Sequence, residues 1–192
     1  MMIAIDRYVP DWRNLRIHES SPGARGLSLA IQDEAKHYIP TQYFPGIESG
    51  QFHQGIRCEN IEQQSFADAS FDLVITQDVM EHVFHPDQAY REISRTLKQG
   101  GYHIHTTPIY KSMVKSERRA ELRDGEIVHL AEPEYHGNPV GDGRALVTFR
   151  YGYDLPELIA SWSPFAVELW RPHDKTNGLV AEFLEVLICR KI

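Results

Sequence analysis

Glu81 and His82 are adjacent, just past the end of an apolar run, Phe71 to Thr76. A carboxylate beside an imidazole is a pair that takes and passes protons near neutral pH, so His82 is the candidate general base; orienting the loop is the plainer role for the same pair. Upstream, the run Ser20 to Gly26 holds Ser21, Gly23 and Gly26 between an apolar segment and a helical one. Such a glycine turn brings backbone N–H groups and a helix N-terminus close to a ligand, or is simply a turn. At Asn60 the side-chain carbonyl can accept a hydrogen bond and the N–H of Ile61 can donate one, which suits the edge of a base and equally an Asx turn. The pairs His82/His85 and His103/His105 share a face of a helix and a strand respectively, but no Cys or HExxH frame accompanies them, and no metal is expected.

These groups need elements to position them. Phe71–Thr76 is short, apolar and rich in β-branched residues, as a buried parallel strand should be. Asp87–Leu97 places Ala89, Ile93 and Leu97 on one face and Arg91, Glu92, Arg95 and Lys98 on the other, an amphipathic helix that Pro86 opens and Gly100–Gly101 ends. Tyr102–Thr107 returns to strand character. The three together form a βαβ unit, and ligands of open α/β sheets lie beyond the carboxyl ends of such strands, here Gln77 to His82 and Thr106 to Pro108. Gln77, Asp78 and Val79 therefore overlook the mouth of a site. Before this unit the pattern predicts a strand at Leu15–Glu19, a helix at Leu27–Glu34, a second strand within Ala35–Tyr43 and a third at Ile56–Cys58.

After it, residues 109–150 break the rhythm with charges, Gly and Pro. They read as an insertion, a lid over a substrate or an exposed loop, with Tyr110, Tyr135 and His136 as candidate substrate contacts. A last helix, Asp154–Trp162, precedes strands at Phe165–Trp170 and Glu182–Arg190, joined through a turn at 174–178. Residues 1–14 form an N-terminal arm packing through Tyr8 and Trp12, and the whole, 1–192, is a single domain.

With 42% hydrophobic and 24% charged residues the chain has ordinary globular composition. A net charge of -7 argues against a grip on nucleic acid or an anionic membrane surface. Two cysteines without ligand spacing, Cys58 and Cys189, suit a reducing cytoplasm. No membrane span or signal-peptide core is evident.

The run FDLVITQDVMEHV, the following HP, the helix segment REISRTLK, and QGG leading to a strand ending in TTP resemble the class I S-adenosylmethionine-dependent methyltransferases, in their small-molecule, type 11-like branch. The resemblance is specific over residues 60–108, fair over 15–59 and architectural beyond. It implies a three-layer Rossmann-like sandwich around a mainly parallel seven-stranded sheet, order 3-2-1-4-5-7-6, with an antiparallel last strand. S-adenosylmethionine is the implied cofactor. Glu19 is then the acid linked to its methionine part, Ser21 stands for the family's first glycine and Gly23 for the second. Thr41 and Gln42 stand where relatives carry a ribose-binding acid, Asn60 and Ile61 face adenine, and Glu81–His82 matches the family's acid–histidine pair. The implied function is methyl transfer to a small-molecule or saccharide-type acceptor. The rival is a non-catalytic binding or scaffold domain with a worn first motif, and a dehydrogenase is a weaker third. Relatives carry helices before the first strand that cover the cofactor; their near absence points to a trimmed N-terminus, a protein partner or a homo-oligomer covering that side.

Overall fold

The computed structural model describes residues 1–138, 143–176 and 178–192, so Asn177 of the expected 174–178 turn and residues 139–142 of the insertion lie outside the described residues. The chain opens with helix α1 (Met2–Tyr8) and a 3₁₀ turn (Trp12–Asn14), then strand β1 (Arg16–Ser20), helix α2 (Leu27–Glu34) and strand β2 (His37–Gln42). Two short strands, β3 (Phe52–His53) and β4 (Ile56–Cys58), precede the βαβ unit of β5 (Phe71–Gln77), α3 (Pro86–Thr96) and β6 (Leu97–Thr106). The insertion carries β7 (Glu117–Arg118), β8 (Ala120–Arg123), β9 (Glu126–His129), β10 (Tyr135–Gly137), β11 (Arg144–Leu146) and β12 (Phe149–Arg150). Helix α4 (Leu155–Trp162), β13 (Phe165–Trp170) and β14 (Val186–Lys191) complete the chain.

The main sheet runs β3-β4-β2-β1-β5-β6-β14-β13. From β4 onward this is the expected 3-2-1-4-5-7-6 order. It has eight strands rather than seven, because Phe52–His53 folds back antiparallel on β4 and adds an edge. The pairs β4/β2, β2/β1, β1/β5 and β5/β6 are parallel, and β14 is antiparallel to both β6 and β13.

Alternation along the strands divides the core between the two faces. Ile17, Leu73, Ile75, Ile104 and Ile188 point to the side covered by α1, Trp12 and α2, where Ala4, Ile5, Trp12 and Ile31 are wholly buried. Residues 1–14, without visible periodicity in the sequence, thus include a two-turn helix that closes this layer. On the opposite face Val74, Leu187 and Cys189 meet Ala89, Tyr90 and Ile93 of α3 and Leu155 and Ile159 of α4.

Several boundaries differ from the sequence reading: β14 begins at Val186 rather than Glu182 and β6 at Leu97 rather than Tyr102. Two features have a clear physical reason. Helix α3 ends at Thr96, and Leu97 already has extended geometry (ψ 141°). Gly100–Gly101 therefore serves not as the helix stop but inside β6, where the pairing with β5 slips between Phe71/Leu97 and Leu73/Tyr102. Gly100 takes φ +77° in that bulge, and a Cβ on Gly101 would lie 3.0 Å from the carbonyls of Asp72 and Lys98. Asp154 does precede α4, yet its carboxylate makes no cap; it accepts from the N–H and Oγ of Ser116 at 2.8 and 2.6 Å.

Candidate functional site

Strand β1 delivers Glu19 to the carboxyl edge of the sheet, completely buried. Its Oε1 accepts hydrogen bonds from Ser28 Oγ (2.7 Å) and Gln77 Nε2 (2.8 Å), and its Oε2 accepts from the Tyr38 hydroxyl (2.8 Å). Gln77 Nε2 also reaches Ser28 Oγ at 3.1 Å. One carboxylate thus ties β1, β2, β5 and the start of α2 together, and burial beside its charge raises the Tyr38 phenol far above its ordinary range. The partnership of Glu19 with Gln77 joins two residues singled out from sequence; Ser28 and Tyr38 were missed, although Tyr38 lies one strand over.

In the turn that follows, the left-handed positions are Ser21 (φ 56°) and Gly26 (φ 53°), not Gly23. A Cβ on Gly23 would meet only Arg25 at 3.8 Å, so the fold itself does not require glycine there. The N–H of Ser21 donates to the Thr41 carbonyl at 2.7 Å. Thr41 is a correction to the ribose-facing expectation: its side chain is wholly buried and its Oγ1 lies 2.9 Å from Nε2 of His18, inside the core. Gln42, half-buried, has its amide 3.4 Å from the Tyr43 carbonyl and lines a cleft of about 660 Å³ together with Gly23, Ser28 and Tyr38.

A second cleft, about 460 Å³, lies at the ends of β2 and β4 and is lined by Tyr43, Ser49, Asn60 and Gln64. Asn60 Oδ1 accepts from the N–H of Glu62 (2.9 Å), the Asx-turn arrangement, while its own N–H donates to Ser49 Oγ (3.0 Å). Ile61 is buried in the core. Gln64, only 7% exposed, has neither amide atom hydrogen-bonded among the described residues. Sequence reasoning missed it because a glutamine in a loop carries no periodic signal.

Beyond β5, Asp78 turns sharply (φ 52°) and its N–H donates to Thr106. The packing around its carboxyl, then the charge of Glu81, raises its pKa above the usual carboxylate range even though the residue is solvent-accessible. Val79 leads into a 3₁₀ turn, Met80–His82, that buries Glu81. Glu81 Oε2 accepts from Thr107 Oγ1 at 2.9 Å. The rings of His82 and His136 flank Oε1, with Nε2 of His82 at 3.7 Å and Nδ1 of His136 at 3.6 Å. The carboxylate of Glu81 raises the pKa of His136.

The insertion and Tyr151 just after it hold this turn in place. Thr148 N–H donates to the Glu81 carbonyl (2.8 Å), Tyr151 hydroxyl to that of Met80 (3.0 Å), and Arg118 to that of Phe84 (2.7 Å), while His82 Nδ1 lies 2.9 Å from the Leu146 carbonyl. Of the three candidate substrate contacts, His136 joins the site directly. Tyr110 donates to Glu134 at 3.2 Å, which places it on the same side, whereas Tyr135 is 43% exposed under the Arg144 guanidinium. Glu19 and Gln77 thus meet at the ends of β1 and β5, Asn60 and Gln64 line the cleft beside β4, and Asp78, His82 and His136 lie around Glu81.

Residues 32–105 match the family model described as methyltransferase domain. Over 122 residues the chain is 33% identical to an uncharacterized protein of Methanocaldococcus jannaschii, covering 62% of this chain and about half (52%) of that relative's length. Among solved structures, an S-adenosylmethionine-dependent methyltransferase from Mesorhizobium loti superposes with TM-score 0.62 at 16% identity, covering 98% of this chain and 96% of its own. The S-adenosylmethionine-bound amino pentose methyltransferase CalS10 from Micromonospora echinaspora gives TM-score 0.63 at 10% identity, covering 99% and 88%. No helix among the described residues is long and apolar enough to cross a membrane.

Proposed function

We propose that this chain, whose fold is that of the class I S-adenosylmethionine-dependent methyltransferases and whose central residues 32–105 match a methyltransferase domain, binds S-adenosylmethionine and transfers its methyl group to a small-molecule acceptor. The observation that carries the reading is the convergence, at the carboxyl ends of β1, β4 and β5, of a buried carboxylate, a cleft and unspent polar groups. The residues present fit the cofactor at its base end. There the orphaned Gln64 amide beside Asn60 offers both a donor and an acceptor to a heterocycle edge, and burial makes an unmet amide costly. Glu19 is the group for a cationic amine, with Gln77 as the donor that such an amine displaces.

When bound, S-adenosylmethionine supplies an electrophilic methyl on a sulfonium, so the protein's task is chiefly to hold donor and acceptor in line within about 3–3.5 Å. Gln77, Asp78 and Val79 border that space. His82 and Asp78 are the groups placed to take a proton from an acceptor oxygen or nitrogen. A sugar-like acceptor is favoured within the small-molecule class, because the mouth offers carboxylates and imidazoles to hydroxyls and because one structural neighbour is an amino pentose methyltransferase. A second copy or a protein partner over the cofactor side, and a cytoplasmic setting, accompany this reading.

The scaffold reading rests on two observations: both oxygens of Glu19 are already engaged by described donors, and β2 ends in Gln42 rather than in an acid. Calorimetry and thermal unfolding with S-adenosylhomocysteine separate the two. Ligand at about 100 times its Kd adds about 2.7 kcal/mol, a rise of a few degrees in Tm for a domain of this size. We expect that rise, no rise with NADH, and a reduced one in Gln64→Leu. Absence of heat and of any Tm change at millimolar S-adenosylhomocysteine would favour the scaffold.

A further inference from the structure

We infer that Glu81, His82 and His136 form a binding site for a divalent transition-metal ion of the zinc, cobalt or iron(II) type. Their donor atoms, Glu81 Oε1, His82 Nε2 and His136 Nδ1, lie within 4.8 Å of one another. Oε1 belongs to a residue only 2% exposed, and among the described residues it has no hydrogen-bond partner, since both rings stand just beyond hydrogen-bond reach. A buried carboxylate oxygen left in that state is costly unless a cation or a proton meets it.

Two of the three donors are also oriented by hydrogen bonds from behind. The Leu146 carbonyl lies 2.9 Å from His82 Nδ1 and so keeps the proton there, leaving Nε2 with its lone pair toward Glu81. Thr107 donates to the other oxygen of Glu81. On His136 the far nitrogen, Nε2, has Glu134 Oε1 at 3.7 Å, beyond hydrogen-bond reach and near enough to back the ring once it moves onto an ion. Tetrahedral ligation with bonds near 2.0–2.1 Å sets ligand atoms about 3.4 Å apart, so the separations of 3.6 and 3.7 Å to Glu81 close with shifts of a few tenths of an ångström. The two histidine nitrogens, within 4.8 Å of each other, close by rotation of the partly exposed His136 ring.

The donor chemistry selects the ion. Two imidazoles with one carboxylate suit borderline ions and leave coordination positions open, whereas calcium and magnesium require mostly oxygen. Asp78, exposed, lies within electrostatic reach of the same three groups. Sequence spacing could not show the cluster, because His82 and His136 meet only when β10 folds over the turn after β5. The site rests on its own geometry and not on methyl transfer, but a bound ion would take the Nε2 lone pair of His82 and leave Asp78 as the group for an acceptor proton.

The test uses the full chain, untagged and stripped of metal, titrated with Zn²⁺ in a calorimeter and with Co²⁺ by visible absorption. One equivalent of Zn²⁺ should bind, and Co²⁺ should give the intense d–d bands of a four- or five-coordinate ion. Affinity should fall at least tenfold in His136→Ala and in Glu81→Gln, with His129→Ala, on an exposed strand, unchanged. His136 lies on a surface hairpin, so its variant keeps the test valid should Glu81→Gln unfold. No Zn²⁺ binding, a Co²⁺ spectrum like the hexaaqua ion, or equal affinity in His136→Ala would overturn the site and leave a histidine–carboxylate ion pair.

Discussion

Glu19 shows how one residue can be read correctly by position and incompletely by environment. Its place after β1 follows from the strand–turn–helix pattern, but the three donors that surround it come from β2, α2 and β5, and no local pattern reports them. An amide in its place would turn an N–H₂ toward at least one donor, so Glu19→Gln should cost about 1–3 kcal/mol, the penalty of burying unmatched polar groups. Tyr38→Phe leaves Oε2 of the same buried carboxylate without its described donor and should cost a similar amount, about 1–3 kcal/mol. Urea denaturation of both variants checks this; near-wild-type stability in both would mean that the carboxylate is not the hub. Thr41 and Asn60 teach the complementary lesson: residue type made them candidates, yet hydrogen bonds to His18 and to Glu62 already engage them, and that engagement depends on neighbours about 23 and 2 residues away.

At the scale of elements, the strands and helices were legible because burial on one or both faces writes itself into hydrophobic period: α2, β4 and β13 fall within the expected bounds. What escaped was geometry set by partners. Gly100–Gly101 looked like a helix stop, but the helix stops earlier and the glycines let β6 bulge against β5. The insertion, read as irregular, pairs into β7/β12, β8/β9 and β10/β11, two-stranded units too short and too charged to show alternation. The bulge makes a sharp prediction. In Gly101→Ala the new methyl would lie 3.0 Å from two backbone carbonyls and 3.2 Å from Leu97 Cδ2, contacts that only backbone movement relieves. A loss of about 1–3 kcal/mol is expected, as for overpacking elsewhere, whereas Gly23→Ala, which meets only Arg25, should be nearly neutral in the absence of ligand. Thermal melts of the two variants side by side decide whether the glycines of the chain serve the sheet or the turn.

Across the whole molecule, the α3/α4 face of the sheet buries three histidines: His18 on β1, and His103 and His105 on β6, the last two stacked at 4.2 Å. Burial lowers the pKa of His18 and His105 to about 3, with the Arg57 charge adding to the effect at His18, and burial followed by the two neighbouring imidazoles drives His103 well below its ordinary value. All three are therefore neutral in the folded state, while in the unfolded chain they titrate near 6.5. From about pH 6.5 down toward 3 the unfolded state binds more protons, so stability falls as pH falls, by about 1.4 kcal/mol per unit for each histidine. His136, raised by Glu81, has the opposite sign: its contribution is complete below pH 6.5 and is lost above it, so between pH 7.5 and 5.5 it offsets part of the loss. At pH 5.5, above the range of most carboxylates, the three together should cost about 4 kcal/mol relative to pH 7.5, a large part of a typical domain's 5–15 kcal/mol. Urea midpoints at the two pH values measure that loss, and imidazole NMR signals provide an independent reading: three of the 10 histidines should not shift between pH 7.5 and 5. If all ten titrate near 6.5, or if the urea midpoint is flat across the window, the sheet does not hold a neutral histidine layer, and the acid sensitivity argued for the fold is wrong.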